Sequence, residues 1–406
     1  MTILLIICLT AVGFFTIYSS VLVLFGFVYK NRMNVVKAKP DVTEQKQFRF
    51  AIIIPAHNEE RVIEQTAANL LAVDYPKELF QVFVVADNCT DETFLRASRA
   101  GAIVFERESK EFRGKGYALR WCFELLLKSR RNFNAFLVID ADTIVSKNIL
   151  EVLNTYLNNG SQVIQCADLV EPKPGAWSSE ITRVGLYLYN YARPLGRKML
   201  NCSAGLRGNG MCFDVDVLRK NPWLAYSQTE DLEYGLNLLL KGITVTFAPE
   251  AKVFASMPSK PQNAESQRAR WELGRFPIIK KYSLLLLKEA LGKKSFKIFD
   301  AFVELITPAF TNLFLITAVM LLATWLITYA GILSSNFFLI MWILFLALQI
   351  FYVLGGLFLA RADASAYKAL LNAPKFALWK LILYFKLMTK GHTKAWIRTA
   401  REDAAN

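Results

Sequence analysis

The chain holds 406 residues, with 48 Lys and Arg against 34 Asp and Glu for a formal charge of +14; 54% of the residues are hydrophobic and 13% aromatic. Together with a mean hydropathy of +0.28, this excludes a small secreted, disordered or fibrous protein. It is also too apolar for a soluble basic protein, so part of the apolar surface is expected to face lipid, in a chain long enough for about two to three domains.

Ile3 to Val28 carry no charge and are long enough to cross a hydrocarbon core, which takes about 20 helical residues. Met1 and Thr2 precede the run and Lys30, Arg32, Lys37 and Lys39 follow it. A cleaved secretory signal has the reverse charge order, so the segment reads as an uncleaved anchor with its C-terminal side in the cytosol. Residues 1–30 are thus assigned to an anchor and 31–47 to a cytosolic linker.

From Phe48 to about Met257 short apolar runs alternate with helix-length segments. Ala51–Ile54, Gln81–Val85, Ala102–Phe105, Ala135–Ile139 and Gln162–Gln165 read as strands, most of them too continuously apolar for a sheet wet on one face. Helices fit between them at Arg61–Val73, Glu92–Arg99 and Gly116–Ser129. The pattern predicts an α/β layer with a mainly parallel sheet, whose ligand lies beyond the carboxyl ends of the strands.

The loops after those strands carry the candidate chemistry. The first is Pro55-Ala56-His57-Asn58-Glu59-Glu60 and the second Asp87-Asn88-Cys89-Thr90-Asp91, where Asn58 and Asp91 also suit helix N-caps. The third, Arg113-Gly114-Lys115-Gly116, opens a helix, a setting that favours anions and places Lys115 to meet a phosphate. The fourth, Asp140-Ala141-Asp142, sets two carboxylates at the end of a buried strand, a hard oxygen site for Mg²⁺ or Mn²⁺ carrying a diphosphate. Further on come Gly208-Asn209-Gly210, then Thr229-Glu230-Asp231 ahead of a helix over Leu232–Lys241, then Gln267-Arg268-Ala269-Arg270-Trp271. Taken alone, Glu230 and Asp231 also suit a helix start, and Arg270 with Trp271 also suits a membrane margin.

Residues 276–300 read as an interfacial segment and 301–361 as two further spans. Their apolar stretches run from about Leu305 to Ala330 and from Phe337 to Ala360. Lys293, Lys294 and Lys297 precede the first, Arg361 follows the second, and the link between them is uncharged. Positive charge on one side of all three spans predicts an N-terminus outside, with the middle of the chain and the tail in the cytosol. Residues 362–406 read as a basic interfacial or cytosolic tail, in which 375–390 is apolar but interrupted by Lys375, Lys380 and Lys386. That spacing suits an interfacial helix with snorkelling lysines, or a helix bundled against the others. Much of the +14 sits at these margins, and no nucleic-acid-binding pattern accompanies it. The six cysteines form no C-x-x-C pair and are expected to be reduced, without structural zinc.

In their order, Pro55, Asn58-Glu59, Asp87, Lys115, Asp140-x-Asp142, Thr229-Glu230-Asp231 and Gln267-x-x-Arg270-Trp271 resemble the family 2 inverting glycosyltransferases. The resemblance covers about residues 48–275, set as one domain, and is nearest the membrane-embedded branch that includes cellulose, chitin, hyaluronan and poly-N-acetylglucosamine synthases and ceramide glucosyltransferase. It implies a GT-A fold, an NDP-sugar donor, with UDP-sugars the commoner ones in this branch, and a divalent metal. By the same resemblance Pro55, Glu59 and Asp87 hold base and ribose, and Lys115 lies near the phosphates. Asp140 and Asp142 hold metal and diphosphate, Asp231 is the general base with Glu230 beside it, and Gln267, Arg270 and Trp271 line the acceptor and diphosphate end. Gly208 and Asn209 fill the place of a small-residue acceptor loop without matching it closely, and Ala86-Asp87 stands where many relatives carry two acids.

Inverting transfer is one in-line displacement: a base takes the acceptor hydroxyl's proton as its oxygen attacks the anomeric carbon, and the departing diphosphate is neutralised. From an α-linked donor the product is β-linked. The acceptor stays open between a growing polysaccharide and a membrane lipid receiving one sugar. Three spans are few for a channel, so the polymer reading calls for an oligomer or an export partner. A membrane scaffold that binds nucleotide without turnover is the remaining alternative.

Overall fold

The computed structural model describes residues 2–35, 46–171, 177–256 and 261–380, with side chains for 2–32, 46–171, 177–256 and 274–380. These form two compact units. One comprises the described parts of 37–174 and 201–302, the other those of 1–36, 175–200 and 303–398.

The first unit is built on an eight-stranded sheet: β1 (Phe50–Ala56), β2 (Phe80–Asp87), β3 (Ile103–Arg107), β4 (Ala135–Val138), β5 (Thr143–Val145), β6 (Val163–Val170), β7 (Met211–Asp214) and β8 (Val245–Ala255). The order is β3-β2-β1-β4-β7-β6-β8-β5. The β1–β2, β2–β3, β1–β4 and β6–β8 pairs are parallel, whereas β7 runs antiparallel to β4 and β6, and β5 to β8. The α/β class with a mainly parallel sheet is therefore as expected. Phe50 to Ile54 and Phe83 to Val85 are fully buried, which is why these strands read as unbroken apolar runs. From β1 the chain steps outward to β2 and β3 and then returns to the other side of β1 with β4. That reversal creates a crevice beyond the carboxyl ends of β1 and β4.

In the second unit, Thr2–Arg32, Phe310–Tyr329 and Phe337–Leu359 are long and apolar enough to cross a membrane. The middle one starts at Phe310, later than the hydropathy implies, because Pro308 cannot continue the preceding helix Phe296–Ile306. The three are joined inside by Gln349, which is 2% exposed; its Nε2 donates to Thr16 Oγ1 at 3.1 Å and Thr317 Oγ1 at 2.8 Å.

Sequence boundaries set 48–275 as one domain, yet residues 177–200 group with the apolar helices. Helix Arg193–Met199 approaches the N-terminal helix so closely that a Cβ on Gly196 would lie 2.0 Å from the Leu22 carbonyl oxygen. Buried Arg193 also pairs with buried Glu304 at 2.6 Å. Residues 276–302 group instead with the sheet, because helix Pro261–Gly292 runs unbroken through position 276 and is tied down by Lys281 to Glu233 at 2.7 Å and Tyr282 to Asn237 at 2.8 Å. Residues 381–390 of the stretch expected to be interfacial lie outside the described residues.

Removing one partner of a buried ion pair strands the other charge. Arg193→Met is expected to cost about 3–5 kcal/mol, read as a lowered thermal midpoint in detergent. Adding Glu304→Leu should restore most of the loss, and a single variant as stable as the parent would contradict the pairing.

Candidate active site

The two turns after β1 and β2 are braced against each other. Asn58 (φ 56°) and Asn88 (φ 52°) take the left-handed conformation, which asparagine tolerates better than most residues. Asn58 Oδ1 accepts the Thr90 backbone N–H at 2.7 Å, and His57 Nδ1 lies 2.7 Å from the Asp87 carbonyl oxygen. Asn58 thus ties the two loops together rather than capping the helix Ile63–Leu71. Asp91 accepts the Thr93 backbone N–H at 3.1 Å, close to the cap expected of it. Glu59 takes its place in this braced turn, with its backbone N–H on Thr93 Oγ1 at 2.7 Å and its carbonyl accepting from Val62 and Ile63. Pro55 sits at the exit of β1, opposite Val85.

Asp87, 5% exposed at the end of β2, forms an ion pair with Arg107 at the end of β3. Arg107 Nη2 also donates to the Phe112 carbonyl at 2.8 Å. One guanidinium therefore joins the candidate ribose acid to the loop that leads into Lys115.

Lys115 opens helix Lys115–Lys128 behind Gly114, whose φ of 111° suits glycine. Its ammonium sits on Asp140 and donates to the Gly208 carbonyl at 2.6 Å. Burial works against this charge, but Asp140, Glu230 and Asp231 outweigh it and raise the lysine above its ordinary range. Gly116 admits the next segment: a Cβ there would lie 2.5 Å from the Ala225 carbonyl oxygen. Gly116→Ala should cost about 1–3 kcal/mol by overpacking and slow any reaction that uses Glu230 and Asp231, since 225–229 leads into them. Unchanged melting and turnover would show that the approach is not tight.

Asp140 and Asp142 follow β4. The backbone N–H of Asp140 donates to Asn209 Oδ1 at 3.1 Å, and Asn209 Nδ2 donates to Thr143 Oγ1 at 3.0 Å and Asp168 Oδ1 at 3.2 Å. The Asn209 amide, 3% exposed, is thus engaged with the strand end. Asp168 is a further acid that the sequence did not single out. Burial first, then the charges of Asp140 and Asp142, push its carboxyl well above the ordinary range.

Glu230 and Asp231 begin helix Glu230–Leu240. Burial and the neighbouring Asp231 raise Glu230 to about 7, against the pull of Lys115. Burial also raises Asp231, while the backbone N–H of Leu232 and the charges of Lys115 and Arg207 hold it down. A Cβ on Gly208 would lie 3.3 Å from Asp231 Oδ2 and 3.8 Å from Lys115 Nζ, so the Gly208 loop, the lysine and the acid meet at one point. Thr229 Oγ1 donates to the Gly274 carbonyl at 3.2 Å. This links the acid pair to the helix bearing Gln267, Arg270 and Trp271, whose side chains lie outside the described residues.

Four carboxyl groups, on Asp140, Asp168, Glu230 and Asp231, interact with the charge of Lys115, while Asp142 acts on Asp168 and Arg207 on Asp231. Among the described residues no three His, Cys, Asp or Glu form a protein-only metal cage. This donor set fits a hard cation that arrives with phosphate oxygens and takes one or two carboxylates.

The model of the family described as glycosyltransferase-like family 2 matches residues 47–274. A probable glycosyltransferase of Bacillus subtilis (strain 168) is 26% identical over 282 residues, 66% of this chain and 64% of that protein. The poly-β-1,6-N-acetyl-D-glucosamine synthase of Staphylococcus aureus (strain COL) is 21% identical over 276 residues, 64% of each. The chain therefore spans just under two thirds of the length of these curated relatives. Among solved structures, a mannosyltransferase from Pyrobaculum calidifontis in complex with GDP-mannose and Mn²⁺ superposes with a TM-score of 0.52 at 17% identity, over 89% of this chain and 99% of that one. The likeness is one of fold, the GT-A fold.

Proposed function

Because the chain belongs to glycosyltransferase-like family 2 and is a glycosyltransferase, we propose that it is a membrane-bound inverting enzyme. It moves a sugar from an NDP-sugar, first of all a UDP-sugar, to a membrane lipid or a growing glycan and forms a β-glycosidic bond. The observation that carries this reading is the half-buried Glu230–Asp231 pair, with Asp231 meeting Lys115 at Gly208 while the lysine sits on Asp140. It sets a proton acceptor across from a cation suited to a departing diphosphate.

Pro55, Glu59 and Asp87 hold base and ribose, and Lys115 meets the phosphates. Asp231 takes the acceptor hydroxyl's proton, and Glu230 beside it strengthens that base by like charge. Gln267, Arg270 and Trp271 line the acceptor and diphosphate end. A divalent cation, Mg²⁺ or Mn²⁺, would be held by Asp142 and Asp140 with the donor's diphosphate oxygens, and when bound it neutralises charge on the leaving group.

The three apolar helices support membrane attachment. Their one-sided positive flanks favour an outside N-terminus with the catalytic part and the tail in the cytosol. Single-sugar transfer to a lipid is favoured over threading a polymer through this chain's own helices, because those helices meet through the buried Thr16–Gln349–Thr317 contacts.

The test is release of nucleoside diphosphate by the full chain in nanodiscs, over a panel of UDP- and GDP-sugars with Mg²⁺ or Mn²⁺, followed by sizing of labelled product. EDTA should abolish release and either ion should restore it. A chloroform-extractable single-sugar product supports the lipid acceptor, and a high-molecular-weight polymer supports the processive enzyme. Donor binding without release would leave a scaffold.

A further inference from the structure

Gln165 lies in the middle of β6, is fully buried and has no part in the chemistry above. It is the last residue of β6 in register with β7, opposite Met211. One further backbone bond, from the Cys166 N–H to the Gly210 carbonyl at 2.8 Å, continues the pairing, and the side chain of Gln165 extends it to the loop that leads into β7. Its Nε2 donates to the Asn209 carbonyl at 2.7 Å and the Cys166 carbonyl at 3.0 Å, and its Oε1 accepts the Arg207 backbone N–H at 2.9 Å. Both ends of the amide are used, as a peptide group would be in a strand.

What this amide grips is the loop that meets Lys115, Asp140, Asp168 and Asp231. Arg207 acts on Asp231. The Gly208 carbonyl holds the Lys115 ammonium at 2.6 Å. The Asn209 side chain fixes the backbone N–H of Asp140 at 3.1 Å. We propose that Gln165 is a positioning residue for sugar transfer: through the backbone of Arg207 and Asn209 it holds Gly208 against Lys115, and so sets the lysine between Asp140 and Asp231. The proposal rests on the transferase reading above. In the transition state the departing diphosphate gains charge, so a misplaced Lys115 costs most there and the loss falls mainly on kcat.

The experiment uses the full chain in nanodiscs, with UDP-sugars and Mn²⁺, and two variants. Gln165→Met keeps the length and removes every hydrogen bond of the amide. Gln165→Glu keeps the shape and, once protonated, has again one donor and one acceptor. Gln165→Met is expected to lower kcat by about tenfold or more, with donor KM within about threefold; the thermal midpoint falls because buried carbonyls and the Arg207 N–H lose their partner, but the loss of rate exceeds the unfolded fraction at the assay temperature. The rate of Gln165→Glu relative to the parent should rise as pH falls, a recovery that a volume effect does not produce. Hydrogen exchange should show faster exchange at 139–142 and 204–210, with β1 and β2 unaffected.

A Gln165→Met enzyme with the parent's kcat, a loss carried wholly by KM, or a loss equal to the unfolded fraction each overturns the proposal. Should Gln165→Met not fold, a pH-independent rate ratio for Gln165→Glu overturns it and recovery at low pH upholds it. If the parent releases nucleoside diphosphate from no donor, the transferase reading fails by itself. Exchange in Gln165→Glu at neutral pH then decides: selective loss of protection at 139–142 and 204–210 upholds the clamp, and unchanged protection overturns it.

Discussion

Asp231→Asn is expected to abolish sugar transfer, with a fall in kcat of about 10²–10⁴-fold, while donor binding stays within about threefold of the parent. The asparagine side chain is nearly isosteric and can still accept the Leu232 backbone N–H that holds the carboxylate in place. What it cannot do is take a proton from an attacking hydroxyl. Lys115 keeps its contacts with Asp140 and the Gly208 carbonyl, so the proposed diphosphate end of the site is preserved. The measurement pairs nucleoside diphosphate release under saturating donor and acceptor with equilibrium titration of the donor. Turnover within tenfold of the parent would remove Asp231 from the role of base. Loss of donor affinity in step with rate would mean that the residue belongs to binding instead.

How much of this was legible in the sequence follows from how each feature is encoded. β1, β2 and β4 are buried on both faces, so each writes an unbroken apolar run. β5 has three residues and β7 four, and β8 is interrupted by Glu250 and Lys252 next to a register shift between Cys166 and Ala167; none of these leaves a periodic signature. Residues 177–200 carry Arg183, Arg193 and Arg197 and read as part of the soluble layer. They join the apolar helices because Arg193 finds Glu304, a partner 111 positions away, which no local pattern can announce. In the site, acids and glycines at strand ends were visible because their types and spacings are unusual. The residues that hold them were not. Arg107 is one arginine among many until Asp87 is brought beside it, and Gln165 and Asp168 are single polar residues in an apolar strand. Asn209 stands out in the sequence by its place in a glycine loop, but in the structure its amide is engaged with the Asp140 backbone, Thr143 and Asp168.

The acid pair also fixes how transfer should depend on pH. Glu230 is raised to about 7 by burial and by the charge of Asp231, and burial raises Asp231 as well. The two titrate as a unit, and the upper step belongs to the pair. Transfer needs the unprotonated base, so kcat/KM, which reports the free enzyme, should fall as pH drops through about 7 and level off above it. Lys115, raised above the ordinary lysine range, keeps its charge across neutral pH and adds no alkaline limb there. Glu230→Gln removes the like charge but leaves the burial. Asp231 then titrates alone, so the acid limb should move to lower pH and the plateau should drop by about tenfold as the base weakens. An acid limb that stays near pH 7 in Glu230→Gln would assign it to another group and separate Glu230 from the chemistry of Asp231.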